Sequence, residues 1–176
     1  GKVIGVHQGS ALHVEGRRGF RNVGHQLRAK DVAGTQYLSR EDFLEALWAC
    51  RLYFEDKQLL QILDTNNDNT VDCALYLNCL QPEWTPARRV MLERLWATFA
   101  TDAKNCVDIG ELHKRFQPKD GAALNAFLSG WDKRQAMLVN GGRVSFHELL
   151  EWYAPVSMKT QMDAAFEALL ASEWKQ

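Results

Sequence analysis

With 176 residues, 46% of them hydrophobic and 24% charged, the chain has apolar mass for one or two small cores and no more. Lys and Arg number 21 against 22 Asp and Glu, and the halves are alike: residues 1–84 carry nine basic and eleven acidic side chains, residues 85–176 twelve and eleven. That balance argues against a nucleic-acid partner, and apolar runs such as 43–47 and 59–63 are too short for membrane insertion.

Residues 1–18 read as an N-terminal extension, and the basic patch Arg17, Arg18, Arg21 at its end as a solvated segment. Residues 19–81 then hold two helix-loop-helix units. In the first, Phe20, Val23 and Leu27 form one apolar face, which fits best if the loop begins at Arg28 and ends at Asp42, fifteen residues. A start at Asp31 keeps twelve residues but sets Lys30 on the apolar face.

The second unit is the clearest. Its loop, residues 64–75, places oxygen-bearing side chains at positions 1, 3, 5 and 9 (Asp64, Asn66, Asp68, Asp72), an apolar Val71 at position 8 and the Thr70 carbonyl at position 7. Leu59, Leu60 and Leu63 line the entering helix, and Tyr76, Cys79 and Leu80 the leaving one.

Residues 82–86 form a linker in which Thr85 can cap and Pro86 begin a helix. Residues 87–155 repeat the pattern. Leu92, Leu95, Trp96 and Phe99 precede a twelve-residue loop, 100–111. In the fourth unit Leu124, Phe127, Leu128 and Trp131 place the loop start at Asp132, so that residues 132–148 make a loop of seventeen, about five too many, with Gly141 and Gly142 as flexible loop. The eighth-position residues Leu38, Val71, Val107 and Val144 recur at spacings of 33, 36 and 37, and each is expected to pair with its partner loop in a small antiparallel ladder. Residues 156–176 form a tail whose Met162, Phe166, Leu169, Leu170 and Trp174 make the stripe of an amphipathic helix.

These residues resemble the calmodulin-type EF-hand superfamily and, within it, the calyphosin family, over roughly residues 19–176. The resemblance implies an all-α fold of four EF-hand-like units in two paired lobes (19–81 and 87–155) plus the C-terminal amphipathic helix. It also implies a cytoplasmic, non-enzymatic calcium-binding protein with relatives in cilia and flagella.

The ligands have decayed. Calcium needs six or seven oxygens and a bidentate carboxylate at position 12, where the second loop has Leu75. Asp64, Asn66, Asp68, Thr70 and Asp72 are therefore a metal site that is weak or lost, holding calcium or magnesium loosely or no cofactor at all. The third loop has Ala100 at position 1 and Lys104 at position 5, and the fourth keeps Asp132 and Glu148 at the wrong separation. In the first, Asp31, Thr35, Ser39 and Asp42 offer oxygen in a loop of the wrong length.

No catalytic constellation is present. His147 lacks a second His four residues on, since Glu151 stands there, and neither a Gly-x-Ser-x-Gly elbow nor a phosphate loop occurs. Cys50, Cys73, Cys79 and Cys106 fall at no zinc spacing. Three roles remain open: an adaptor or structural protein that binds a partner helix or a larger assembly, a calcium switch working through the second loop, and a regulatory subunit of an enzyme.

Overall fold

The computed structural model describes residues 19–53, 57–81 and 83–175, so the N-terminal extension and Pro82 of the expected linker lie outside the described residues. The chain divides into two compact units, Gly1–Pro82 and Glu83–Gln176. The first contains α1 (Gly19–Lys30), β1 (Tyr37–Ser39), α2 (Arg40–Ala49), α3 (Lys57–Leu63), β2 (Thr70–Asp72) and α4 (Cys73–Leu80). The second contains α5 (Pro86–Trp96), β3 (Cys106–Asp108), α6 (Ile109–Arg115), α7 (Gly121–Gly130), α8 (Lys133–Asn140), β4 (Arg143–Ser145), α9 (Phe146–Lys159) and α10 (Asp163–Glu173). The protein is thus largely α-helical, with its sheet confined to two antiparallel two-stranded ladders.

The ladders join the residues expected to meet. Leu38 stands opposite Val71, and Val107 opposite Val144, all four at most 4% exposed. Two residues before each comes a left-handed residue: Gln36 (φ 67°), Asn69 (64°), Asn105 (58°) and Gly142 (77°). One residue after each, Ser39, Asp72, Asp108 and Ser145 cap the following helix by accepting a backbone N–H. Turn, ladder and cap therefore fall in one register four times.

Two expected loop lengths are corrected. In the first unit α1 continues through Arg28 to Lys30, and the loop is residues 31–42, twelve long. Lys30 does not sit on the apolar face after all, because its ammonium reaches Glu45 and lies 3.8 Å from Asp42. In the fourth unit the extra residues are not loop but the helix α8. Asp132 caps it, accepting from the Gln135 N–H at 2.9 Å, and Gly141 ends it with φ 60°. Asp132, expected as a surviving ligand, is a helix cap.

Some apolar faces also turn differently. On α7 the core face is Ala123, Phe127 and Trp131, while Leu124 and Leu128 are exposed. Cys79 is exposed, and so is Met162 of the tail stripe. The first core gathers Phe20, Leu27, Phe43, Leu63, Tyr76 and Leu80, with Phe43 edge-on to Tyr76 at 5.1 Å. The second is aromatic: Phe127 stacks on Phe116 at 4.1 Å and meets Trp131 and Trp152 at 5.8 Å each.

Since Phe127 touches so many rings, Phe127→Ala should cost about 3–5 kcal/mol. Chemical denaturation of the full chain checks this; a loss below about 1 kcal/mol would contradict the packing described.

Candidate functional site

The second loop, residues 64–75, carries the five expected ligands, and the fold has given most of them other work. Asp64 receives the backbone N–H of Asp68 on one carboxylate oxygen and that of Asn69 on the other, each at 3.0 Å. Asp68 accepts the N–H and hydroxyl of Thr70, which hold its carboxyl below the usual range, the hydroxyl being the larger cause. Asp72 caps α4 by accepting from Leu75 N–H at 2.9 Å. The Thr70 backbone belongs to the ladder, opposite Ser39, and Asn66 is exposed.

A side-chain cation stands beside the first-position carboxylate. Arg40, at the start of α2 in the paired loop, brings a guanidinium nitrogen within 3.5 Å of Asp64. Asp31 in the first loop repeats the Asp64 arrangement, accepting from Thr35 N–H at 3.0 Å and Gln36 N–H at 2.8 Å. Among the described residues no three His, Cys, Asp or Glu side chains are gathered where one ion could touch them all. As a donor set for calcium the second loop lacks an oxygen at the closing position, where Leu75 stands, and has the Arg40 guanidinium beside its first carboxylate.

The third loop goes further. Asp102 accepts the N–H groups of Lys104 and Cys106 on one oxygen and the Arg143 guanidinium on the other, at 2.9 and 3.0 Å. Arg143 also lies 3.9 Å from Asp108, its partner across the ladder, and donates weakly to the Cys106 carbonyl. A permanent cation from the fourth loop thus sits among the third loop's acids. Glu148, at the closing position of the fourth unit, is buried and accepts from Ser145 N–H in a capping box. The sequence reading missed Arg40 and Arg143 in this role. For Arg143 a signal existed: pairing Val107 with Val144 sets residue 143 opposite residue 108.

His113 on α6 is half-buried. Its Nε2 lies 2.6 Å from the Trp131 carbonyl, its ring is 5.1 Å from Phe127, and burial pushes its pKa down.

The tail supplies a second candidate surface. α10 seats Phe166, Leu170 and Trp174 in the core of the second unit. Phe166 is 6.0 Å from Tyr153, and Trp174 lies against Phe99, Phe116 and Phe127 at 5.5, 5.0 and 6.1 Å. Buried Arg88 pins the start of the helix, donating to Asp163 at 2.7 Å and to the carbonyls of Ser157 and Thr160. The end is pinned by the Trp174 indole donating to Tyr153 hydroxyl and that hydroxyl to Glu173, each at 2.6 Å, with backbone bonds between Gln117 and Glu173 and between Lys175 and Arg115.

No protein-family model and no curated protein matches the chain. Among the described residues no helix is long and apolar enough to cross a membrane.

Asp102 allows a direct check of the built-in cation. The Cys106 N–H first and the Arg143 guanidinium second hold its carboxyl below the ordinary value. A folded-state pKa below the unfolded one gives stability that is present above the unfolded value and lost as pH falls through the folded one. A carboxyl NMR titration should show Asp102 ionised below the usual range, and Arg143→Gln should raise it part of the way. An unchanged titration in that variant would mean the guanidinium does not act on it.

Proposed function

We propose that the chain is a calmodulin-type EF-hand protein, most like calyphosin, that works by binding other proteins as an adaptor or structural component and not by catalysis or by sensing calcium. The observation that carries this reading is the split between geometry and ligands. All four loops keep the left-handed turn, the buried ladder residue and the helix cap. The oxygens meanwhile are replaced at Leu75, Ala100 and Lys104 or engaged by Lys30, Arg40 and Arg143. Positions that shape the helix pairs persist where positions that serve only an ion do not, which is the pattern of a scaffold whose partner surface still matters. A cytoplasmic setting, and within it a cilium or flagellum, follows from the resemblance to calyphosin.

A metal-independent scaffold should keep its helix content in chelator. Far-UV circular dichroism and melting in EGTA are expected to match those in millimolar calcium; loss of much helix, or a melting temperature lower by many degrees, would reverse the reading. Calorimetry of the full chain should show weak calcium uptake or none, and tight uptake abolished by Asp64→Ala would make the protein a calcium switch.

The same loop offers a gain-of-function test. Leu75→Glu supplies the closing carboxylate and Arg40→Gln removes the neighbouring cation, so the double variant should bind calcium at least about tenfold more tightly than the parent, or ~1.4 kcal/mol. Unchanged affinity would show that the register assigned to residues 64–75 is wrong.

A further inference from the structure

We infer that the junction of Asn140 and Gly141, which ends α8 and leads into β4, is a self-modification site. The Asn140 side chain closes on the Gly141 nitrogen and converts to aspartate and isoaspartate, and the isoaspartate form loosens the β3–β4 ladder. The inference is independent of the adaptor reading.

The sequence has asparagine at 22, 66, 67, 69, 78, 105, 125 and 140, and Asn140 alone is followed by glycine. Glycine has no Cβ to crowd the approach of a carboxamide to its nitrogen. A Cβ built at Gly141 would meet nothing within 4 Å, so the space beside it is open. Asn140 itself is exposed and is the last residue of α8.

The closed helix protects the junction, because the Gly141 N–H donates to the Ala136 carbonyl. That hold is weak. α8 has 8 residues, buries Ala136 alone, and leaves Met137 61% and Leu138 87% exposed, so its last turn opens readily. Once it opens, the Gly141 nitrogen gives up its proton to solvent and attacks Asn140 Cγ. The new N–C bond closes a cyclic imide, the Cγ–Nδ2 bond breaks, and ammonia leaves with that electron pair and a proton from water. Water then opens the imide at either carbonyl: attack at Cγ gives aspartate, attack at the main-chain carbon gives isoaspartate. Nothing is oxidised or reduced.

Isoaspartate routes the main chain through Cβ, adding one backbone atom, about 1.5 Å of chain, between residues 140 and 141. The segment that follows has no slack to absorb it. The Gly142 N–H donates to the Ala136 carbonyl at 3.0 Å, the Gly142 carbonyl accepts from Ile109 N–H at 2.9 Å, and Val144 is buried opposite Val107. The aspartate product keeps the original chain length.

The test ages the full chain in mildly alkaline oxygen-18 water and maps its peptides by mass spectrometry. Asn140 should take up heavy oxygen before any other asparagine, more slowly than in a free peptide of residues 136–145, and Asn140→Gln should abolish the early uptake. Methyl transfer from S-adenosylmethionine by an isoaspartate-specific methyltransferase counts the isoaspartate. In that form the ladder amides should exchange with solvent about tenfold faster than in the parent, as for the loss of one backbone hydrogen bond. Asn140→Asp, which brings the charge without the added atom, should match the parent. The proposal falls if another asparagine is labelled first, if the chain reacts as fast as the peptide, if the isoaspartate form keeps the parent's exchange, or if Asn140→Asp loosens the ladder equally.

Discussion

The two apolar pairs, Leu38 with Val71 and Val107 with Val144, are the constraint on which each unit depends. Each pair is buried, and each residue lies at the centre of a strand only three residues long. With so little sheet, the flanking backbone has no freedom to drift. The chain must turn left-handed two residues earlier to enter the strand, and a capping side chain must stand one residue later because a helix begins at once. Asn69, Asn105 and Gly142 suit the left-handed turn; Gln36 adopts it at a steric cost of about 1–2 kcal/mol, which the rest of the loop must offset. None of these requirements involves an ion.

Charge is the second constraint, and it is met locally. Acids gathered in one loop repel one another, and here a basic side chain from a neighbouring segment stands near them: Lys30 near Asp42, Arg40 near Asp64, Arg143 between Asp102 and Asp108. These pairs are partly exposed, so water and salt screen them and they add little to stability. Their effect is less to stabilise the fold than to settle the sign of the charge in the loop. The buried aromatic and aliphatic residues supply the stability.

Much of this was legible in the sequence because it follows from spacing. The regular recurrence of Leu38, Val71, Val107 and Val144 located the ladders, and the Thr85–Pro86 pair located the start of α5, where Thr85 indeed caps by accepting from Arg88 N–H. What failed was the treatment of charge and of insertions. A helical wheel places Lys30 on the apolar face and does not show that Glu45 lies across the interface with α2. The register of the flanking faces assigns the residues after Asp132 to a loop, although Asp132 is a good cap, Lys133 through Val139 form helix readily apart from one branched residue, and Gly141 is a stop signal. Arg88 gave no sign of burial, since nothing in its own segment says that the carbonyls ending α9 will lie against it.

The tail joins these themes, because the residues it contacts are those that frame the third loop. Phe99 immediately precedes that loop, Phe116 follows α6, and Trp174 rests on both. Arg115 adds a brace, its guanidinium 4.2 Å over the Phe99 ring while it donates to the Thr98 carbonyl and the Lys175 carbonyl. Spreading α5 from α6 would therefore pull Phe99 and Phe116 away from Trp174 together. In a loop governed by an ion, that spread would follow ion binding. In the third loop the Arg143 guanidinium, a cation the chain itself supplies, stands on Asp102 and near Asp108.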